Sequence, residues 1–114
     1  MGGERDKTRN TIDGFGDQAT KDIFRLKDPK SSKRARKRIH HEQLDNAQSV
    51  LDDLNTCDHP NDLVQHRPHK MEGHDNWWIL DINDKYGVIF GWFQGEAFQV
   101  QACDYHEEKF GPET

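Results

Sequence analysis

Apolar positions recur along this chain with two different spacings, and the change of spacing divides it into a helical half and a sheet half. Residues 1–10 carry no apolar period and are polar enough that burial cannot recover the entropy of ordering them, so a disordered lead-in is expected. Thr11-Ile12-Asp13-Gly14-Phe15 alternates, which predicts a short first strand. Asp17 is then placed to cap a helix that turns Ala19, Ile23, Phe24 and Leu26 inward, with Lys27 and Pro29 closing it. Ser31 or Ser32 caps a second helix, expected to run to about Asn55 with Ile39, Leu44, Ala47, Val50, Leu51 and Leu54 along one stripe.

Turn residues fill Cys57 to Asp62, and a weak strand is expected over Leu63 to Lys70. Beyond it the period drops to two. Trp78, Leu80 and Ile82 alternate with Trp77, Ile79 and Asp81; Tyr86, Val88, Phe90 and Trp92 share a face, as do Phe98, Val100 and Ala102. Asn83-Asp84-Lys85 and Gln94-Gly95 supply the turns between antiparallel strands. The predicted order is β-α-α-β-β-β-β, an α+β domain over residues 11–106. Two helices pack on one face of a small, mainly antiparallel twisted sheet, and the other face is left partly free.

The chain has 114 residues, of which 32% are apolar and 32% charged, so a single thin core is expected. No apolar stretch approaches the roughly 18 residues that cross a bilayer. The opening MGGERDKTRN is unlike a charged-then-apolar signal, so a cytoplasmic protein without membrane contact is expected. Cys57 and Cys103 read as free thiols there. The seven histidines match no zinc template, a site from Cys57, His59 and His69 is the weakest reading, and no metal or cofactor is expected.

A net charge of −5 argues against a general nucleic-acid binder. The charge is unevenly spread, however. Lys30, Lys33, Arg34, Arg36, Lys37 and Arg38 form a run without an acid, while outside it the remaining basic residues face all 21 acidic ones. Cations at the start of a helix oppose its dipole, so helix formation does not account for them. Either they are a solvated face or they meet phosphate.

Several local motifs, in order, resemble the HigB-like killer proteins of the RelE/ParE superfamily. These are Ile12-Asp13-Gly14-Phe15-Gly16-Asp17, the basic-then-apolar helix with Ala47 and Leu51, Asp62-Leu63, Gly73 to Asn83 with Trp78-Ile79-Leu80-Asp81-Ile82-Asn83, Tyr86-Gly87-Val88-Ile89-Phe90, and Asp104-Tyr105-His106 after Gly95-Glu96-Ala97-Phe98. The resemblance implies a RelE-like fold and a type II toxin that cleaves mRNA in the ribosomal 30S A site. It also implies neutralisation by a cognate helix-turn-helix antitoxin of the HigA type.

Such cleavage needs a base for the 2′-OH proton, an acid for the leaving oxygen and cations for the extra negative charge. An imidazole exchanges protons near neutral pH, which suits His106; Asp104 orients it or takes the proton, and Tyr105 stacks on a base or meets phosphate. A regular strand would put Asp104 and His106 on one face and Tyr105 on the other, unless its end is bulged. Lys70 stands nearest to the family's lysine, displaced by one residue, with Arg67 and His69 as substitutes. Lys33, Arg34, Arg36, Lys37 and Arg38 are expected to grip rRNA phosphates. Trp78 faces the core; Trp77 is a base platform, an antitoxin contact or a second core layer. Residues 107–114 read as a flexible acidic tail. Glu72, that tail and the net charge favour a rival, a catalytically silent module acting with its antitoxin as co-repressor. A ParE-like gyrase inhibitor is a lesser alternative.

Overall fold

The computed structural model describes residues 11–107 and 109–112. The lead-in expected over 1–10, and residues 108, 113 and 114, lie outside the described residues. The chain is α+β, with three helices against a four-stranded antiparallel sheet. Helix α1 (Gln18–Arg25) starts where expected, Asp17 Oδ1 accepting from the Thr20 N–H at 2.9 Å. Gln48 Nε2 donates to the carbonyls of Ile23 and Leu26 at 2.8 and 2.7 Å, satisfying the far end of α1.

The single helix expected from Ser31–Ser32 to Asn55 is instead two, α2 (Lys33–Arg38) and α3 (Leu44–Thr56), joined by a corner at Ile39–His40 and a 3-10 turn His41–Gln43. Its cause is a phase slip. Ala35 and Ile39 are fully buried on one stripe, but the next buried residue, Leu44, comes five positions later, roughly 140° round a continuous helix. Breaking the helix lets both stripes reach the core. Tyr86 Oη accepts from the His40 N–H at 3.2 Å, so the freed backbone group is not orphaned.

Strands β1 (His69–Lys70), β2 (Trp77–Asp81), β3 (Tyr86–Phe93) and β4 (Glu96–Asp104) lie in the order β1-β2-β3-β4. The β3–β4 turn is Gln94-Gly95 at φ +52 and +81, the positive pair that suits the twist of a two-residue hairpin. The strand expected over Leu63 to Lys70 shrinks to β1. Val64–His66 is a 3-10 turn, Arg67 is left-handed at φ +51, and Leu63 alone in 61–70 is buried, so no alternating face exists to hold a longer strand.

The first strand is likewise only a pair of parallel bridges, Ile12 with Ala97 and Phe15 with Val100. The segment is pinned from both sides. Asn55 accepts from the N–H groups of Thr11 and Ile12, and the backbones of Thr11, Asp13, Gly14 and Gly16 bond to Ala97 and Val100 of β4. Further along the same edge, Thr20 Oγ1 accepts from the Ala102 N–H at 2.8 Å and Arg38 donates to the Ala102 carbonyl at 3.3 Å.

A bulge between the Ile89 and Gly91 pairings, with Gln99 at φ +49, reverses the faces of β4. Ala97, Val100 and Ala102 therefore share the inner face, and Phe98 leaves the face expected for it. Inside, β2–β4 pack with the three helices in one cluster that includes Trp78, Leu80, Val88, Phe90, Leu51 and Leu54. Outside, Ile79, Ile89 and Cys103 form a smaller buried cluster with Met71, Trp77, Tyr105 and Phe110 packed against it.

Candidate functional site

The pairing of Tyr86 with Asp104 is the last of β4, after which the chain turns. That turn, not a continued strand, gathers the three residues expected at the catalytic end. Asp104 Oδ1 accepts from the His106 N–H at 3.1 Å and lies 3.3 Å from His106 Nδ1, a local turn that aspartate side chains favour. The rings of Tyr105 and His106 stack at 4.4 Å and 29°, so Tyr105 is beside His106 rather than opposite it. His106 is 64% exposed and Asp104 21%, leaving the imidazole open to a ligand while its Nδ1 faces the carboxylate.

Tyr105 lies over Gly87, where an added Cβ would come 2.7 Å from the ring. A glycine is what lets the ring come this close to the sheet there. Asp81 is paired with Gly87, which brings Tyr105 towards Asp81. Burial, and then the negative charges of Asp81, Asp84 and Asp104, raise the Tyr105 pKa, so the phenol stays protonated and able to donate at neutral pH. Asp81 Oδ1 is buried without a hydrogen-bond partner among the described residues. Asp81 is not among the residues expected at this end of the sheet, although a carboxylate in the outward series Trp77, Ile79, Asp81 is a visible irregularity.

Lys70 is not part of this group. It pairs with Trp78, its Nζ lies 5.7 Å from that ring on the inner face, and β1 and β4 are opposite edges of the sheet. Four residues along and three strands across separate its Cα from that of Asp104 by roughly 20 Å. Of the two substitutes, Arg67 is the better placed. His69 pairs with Ile79 on the outer side, and Arg67, two residues earlier, lines a pocket of about 220 Å³ with Gln65, Asp81, Ile82, Asn83 and Asp84. His69 Nδ1 lies 2.9 Å from the Arg67 carbonyl.

The basic run divides into engaged and open members. Arg38 donates to Asp17 Oδ2 at 2.7 Å and to the Ala102 carbonyl, and its guanidinium lies 4.7 Å from the Phe110 ring, so it is a clamp in the fold and not a free phosphate grip. Arg34 and Lys30 each reach an acid at 3.3 Å, Asp22 and Asp45. Burial pushes the Asp22 carboxyl up, but hydrogen bonds from Gln18, Ser32 and Arg34 outweigh it and hold the pKa below its ordinary value. Arg36 bonds the Lys30 carbonyl at 2.7 Å. Lys33 and Lys37 have no ion pair among the described residues, and with Asp22, Leu26, Ser32 and Arg34 they line a pocket of about 510 Å³.

Trp77 is half-buried and edge-on to Phe98 at 5.6 Å, at the other end of the outer face from Tyr105. Trp78 faces the main core. Cys57 and Cys103 are both buried, the Cys57 thiol donating to the Leu54 carbonyl at 3.3 Å, and burial pushes the Cys103 thiol up to about 12. Among the described residues the one group with metal-ligand spacing is His40, His41 and Glu42, not the set Cys57, His59 and His69. The two rings of that group stack at 4.5 Å and 29°, so their in-plane lone pairs run side by side instead of converging. No helix among the described residues is long and apolar enough to cross a membrane. Neither a scan against protein-family models nor a search of the curated proteins finds a match to this chain.

Proposed function

We propose that this chain is a HigB-like toxin of RelE-like topology in the RelE/ParE superfamily, an endoribonuclease that cuts mRNA in the ribosomal 30S A site. One observation carries the reading: an exposed imidazole, His106, is backed at Nδ1 by the Asp104 carboxylate and flanked by the protonated Tyr105 hydroxyl. The 2′-OH gives its proton to His106 as its oxygen attacks the adjacent phosphorus. The P–O5′ bond breaks, a 2′,3′-cyclic phosphate forms, and the departing 5′ oxygen takes a proton from water. Tyr105 donates a hydrogen bond to the phosphate, and Arg67, not Lys70, supplies the positive charge. Lys33 and Lys37 meet rRNA phosphates at a distance. A helix-turn-helix antitoxin neutralises the toxin in the cytoplasm.

The rival is a silent binding module that acts with that antitoxin as a co-repressor. It is favoured by the acids Asp81 and Asp84 around Tyr105 and by the position of Lys70. Induced expression of wild type and His106→Ala in bacteria, with growth followed and mRNA 5′ ends mapped, separates the two. The nuclease reading expects arrest and new in-frame 5′ ends from the wild type, with cleavage down about 100-fold or more in the variant. Equal, harmless growth of both soluble proteins moves the assignment to the binding module.

A further inference from the structure

The residues after the candidate site turn back over the sheet. Phe110 packs on the outer cluster of Ile79, Ile89 and Cys103, under the Arg38 guanidinium at 4.7 Å. Its neighbour Gly111 donates its N–H to Gln101 Oε1 at 2.9 Å. Gly111 has φ +103, and a Cβ there would stand 3.0 Å from Met71 Cε and 4.0 Å from Ile89 Cγ2. The segment thus reaches from β4 across β3 towards the residue that follows β1. Trp77 and Phe98 lie at one end of that face and Tyr105 at the other.

We propose that Phe110 and Gly111 form a latch, a detachable cover over the outer face whose release opens the surface between Trp77 and Tyr105 to single-stranded RNA. Its role as a regulator rests on the nuclease reading above; its existence as a separable cover does not. The fastenings suit reversible closure: one aromatic ring on a guanidinium, one hydrogen bond, and apolar contact by a ring that is only half-buried. Among the described residues no strand or helix continues into the segment, so releasing it breaks no ladder seen there. The covered face is otherwise an apolar surface with aromatic rings at both ends, the kind on which bases stack.

Cys103 reports on the latch, and Cys57 is its internal control. Cys103 is fully buried in the outer cluster under the segment, whereas Cys57 belongs to the main core behind the sheet. Wild type, Phe110→Ala and a chain ending at Glu107 are treated under native conditions with a thiol reagent, and each cysteine's labelling rate is read by peptide mass spectrometry. A latch gives Cys103 labelling at least ~10-fold faster in both variants, with Cys57 unchanged. Unchanged Cys103 labelling, or both thiols accelerating together, overturns the latch, since the first shows no cover and the second a loosened fold.

The same three proteins, and the shortened chain with His106→Ala, are then induced in bacteria. Regulation predicts arrest by the shortened chain at roughly tenfold less inducer than the wild type needs, abolished by His106→Ala. Selective opening at Cys103 with equal arrest by both chains overturns the regulatory role. Selective opening with arrest by neither supports the latch as a cover and overturns the nuclease reading instead.

Discussion

The two faces of the sheet are built by different means. The inner face is covered by three helices whose apolar stripes were recruited by breaking one long helical segment into α2 and α3. The outer face has three buried residues, roofed by rings lying in glycine gaps and by the latch. Rings in gaps need only local turns and small neighbours, whereas helices need many concerted contacts. The inner face should therefore carry the stability, and the outer face should be free to change.

The sharpest break of that contrast is Phe90→Ala, which empties a fully buried position on the inner face. About 3–5 kcal/mol should be lost in denaturant unfolding, against less than about 1.5 kcal/mol for Phe110→Ala on the outer face. Comparable losses would mean that the outer cluster is as structural as the inner one.

Alkaline titration isolates the outer face by a different route. The folded thiol of Cys103 holds its proton up to about 12, against 9.0 when unperturbed. Its stabilising contribution is therefore complete below pH 9.0 and is lost as the pH climbs towards about 12. Cys103→Ala should flatten the thermal midpoint against pH in that window, relative to wild type. An identical slope in both proteins would assign it to other groups.

Gly87→Ala sharpens the comparison within the outer face. The new methyl would meet the Tyr105 ring at 2.7 Å and the backbone oxygen of Leu80 at 3.0 Å, so the ring must move. We expect a loss of about 1–3 kcal/mol, together with altered Tyr105 and His106 ring resonances as their stacking is disrupted. Smallest of all are Lys33→Ala and Lys37→Ala, expected to stay within about 0.5 kcal/mol in stability. On the proposed toxin function they should nonetheless weaken ribosome association, with a shallower salt dependence.

Much of the inner face was legible in the sequence because its signals are local. Asp17 sits one residue before an apolar helical period, and Gln94-Gly95 has the turn chemistry of a hairpin. The inward side of Trp78 follows from its alternation with Ile79 and Leu80. Harder features depended on distant partners. The five-position step from Ile39 to Leu44 was visible, but only Tyr86, far along the chain, shows what receives the freed N–H of the corner. Gln99 adopts a positive φ without any residue signal for it, and that single bulge moved Phe98 to the outer side. At the candidate site, Asp104, Tyr105 and His106 are neighbours in sequence and so were found together. The exclusion of Lys70 in favour of Arg67 follows from strand register, which a motif read in one dimension does not contain. Residues 107–114 read as a flexible acidic tail, yet Phe110 packs on the outer cluster and Gly111 bonds Gln101, contacts that no local sequence signal marks.

The borders of the sheet carry a consequence for behaviour at high concentration. Along β4 the backbone groups of Ala97, Val100 and Ala102 are already engaged by residues 11–16, Thr20 and Arg38. At the opposite border β1 is two residues long, follows Pro68 and ends in the exposed Lys70. Neither border is a long bare template on which the strand of another molecule could pair, and lysine and proline at an open border discourage such recruitment. The same short segments that shape the fold thereby leave each described border of the sheet short, paired or flanked by Lys70 and Pro68, features that work against strand-by-strand polymerisation.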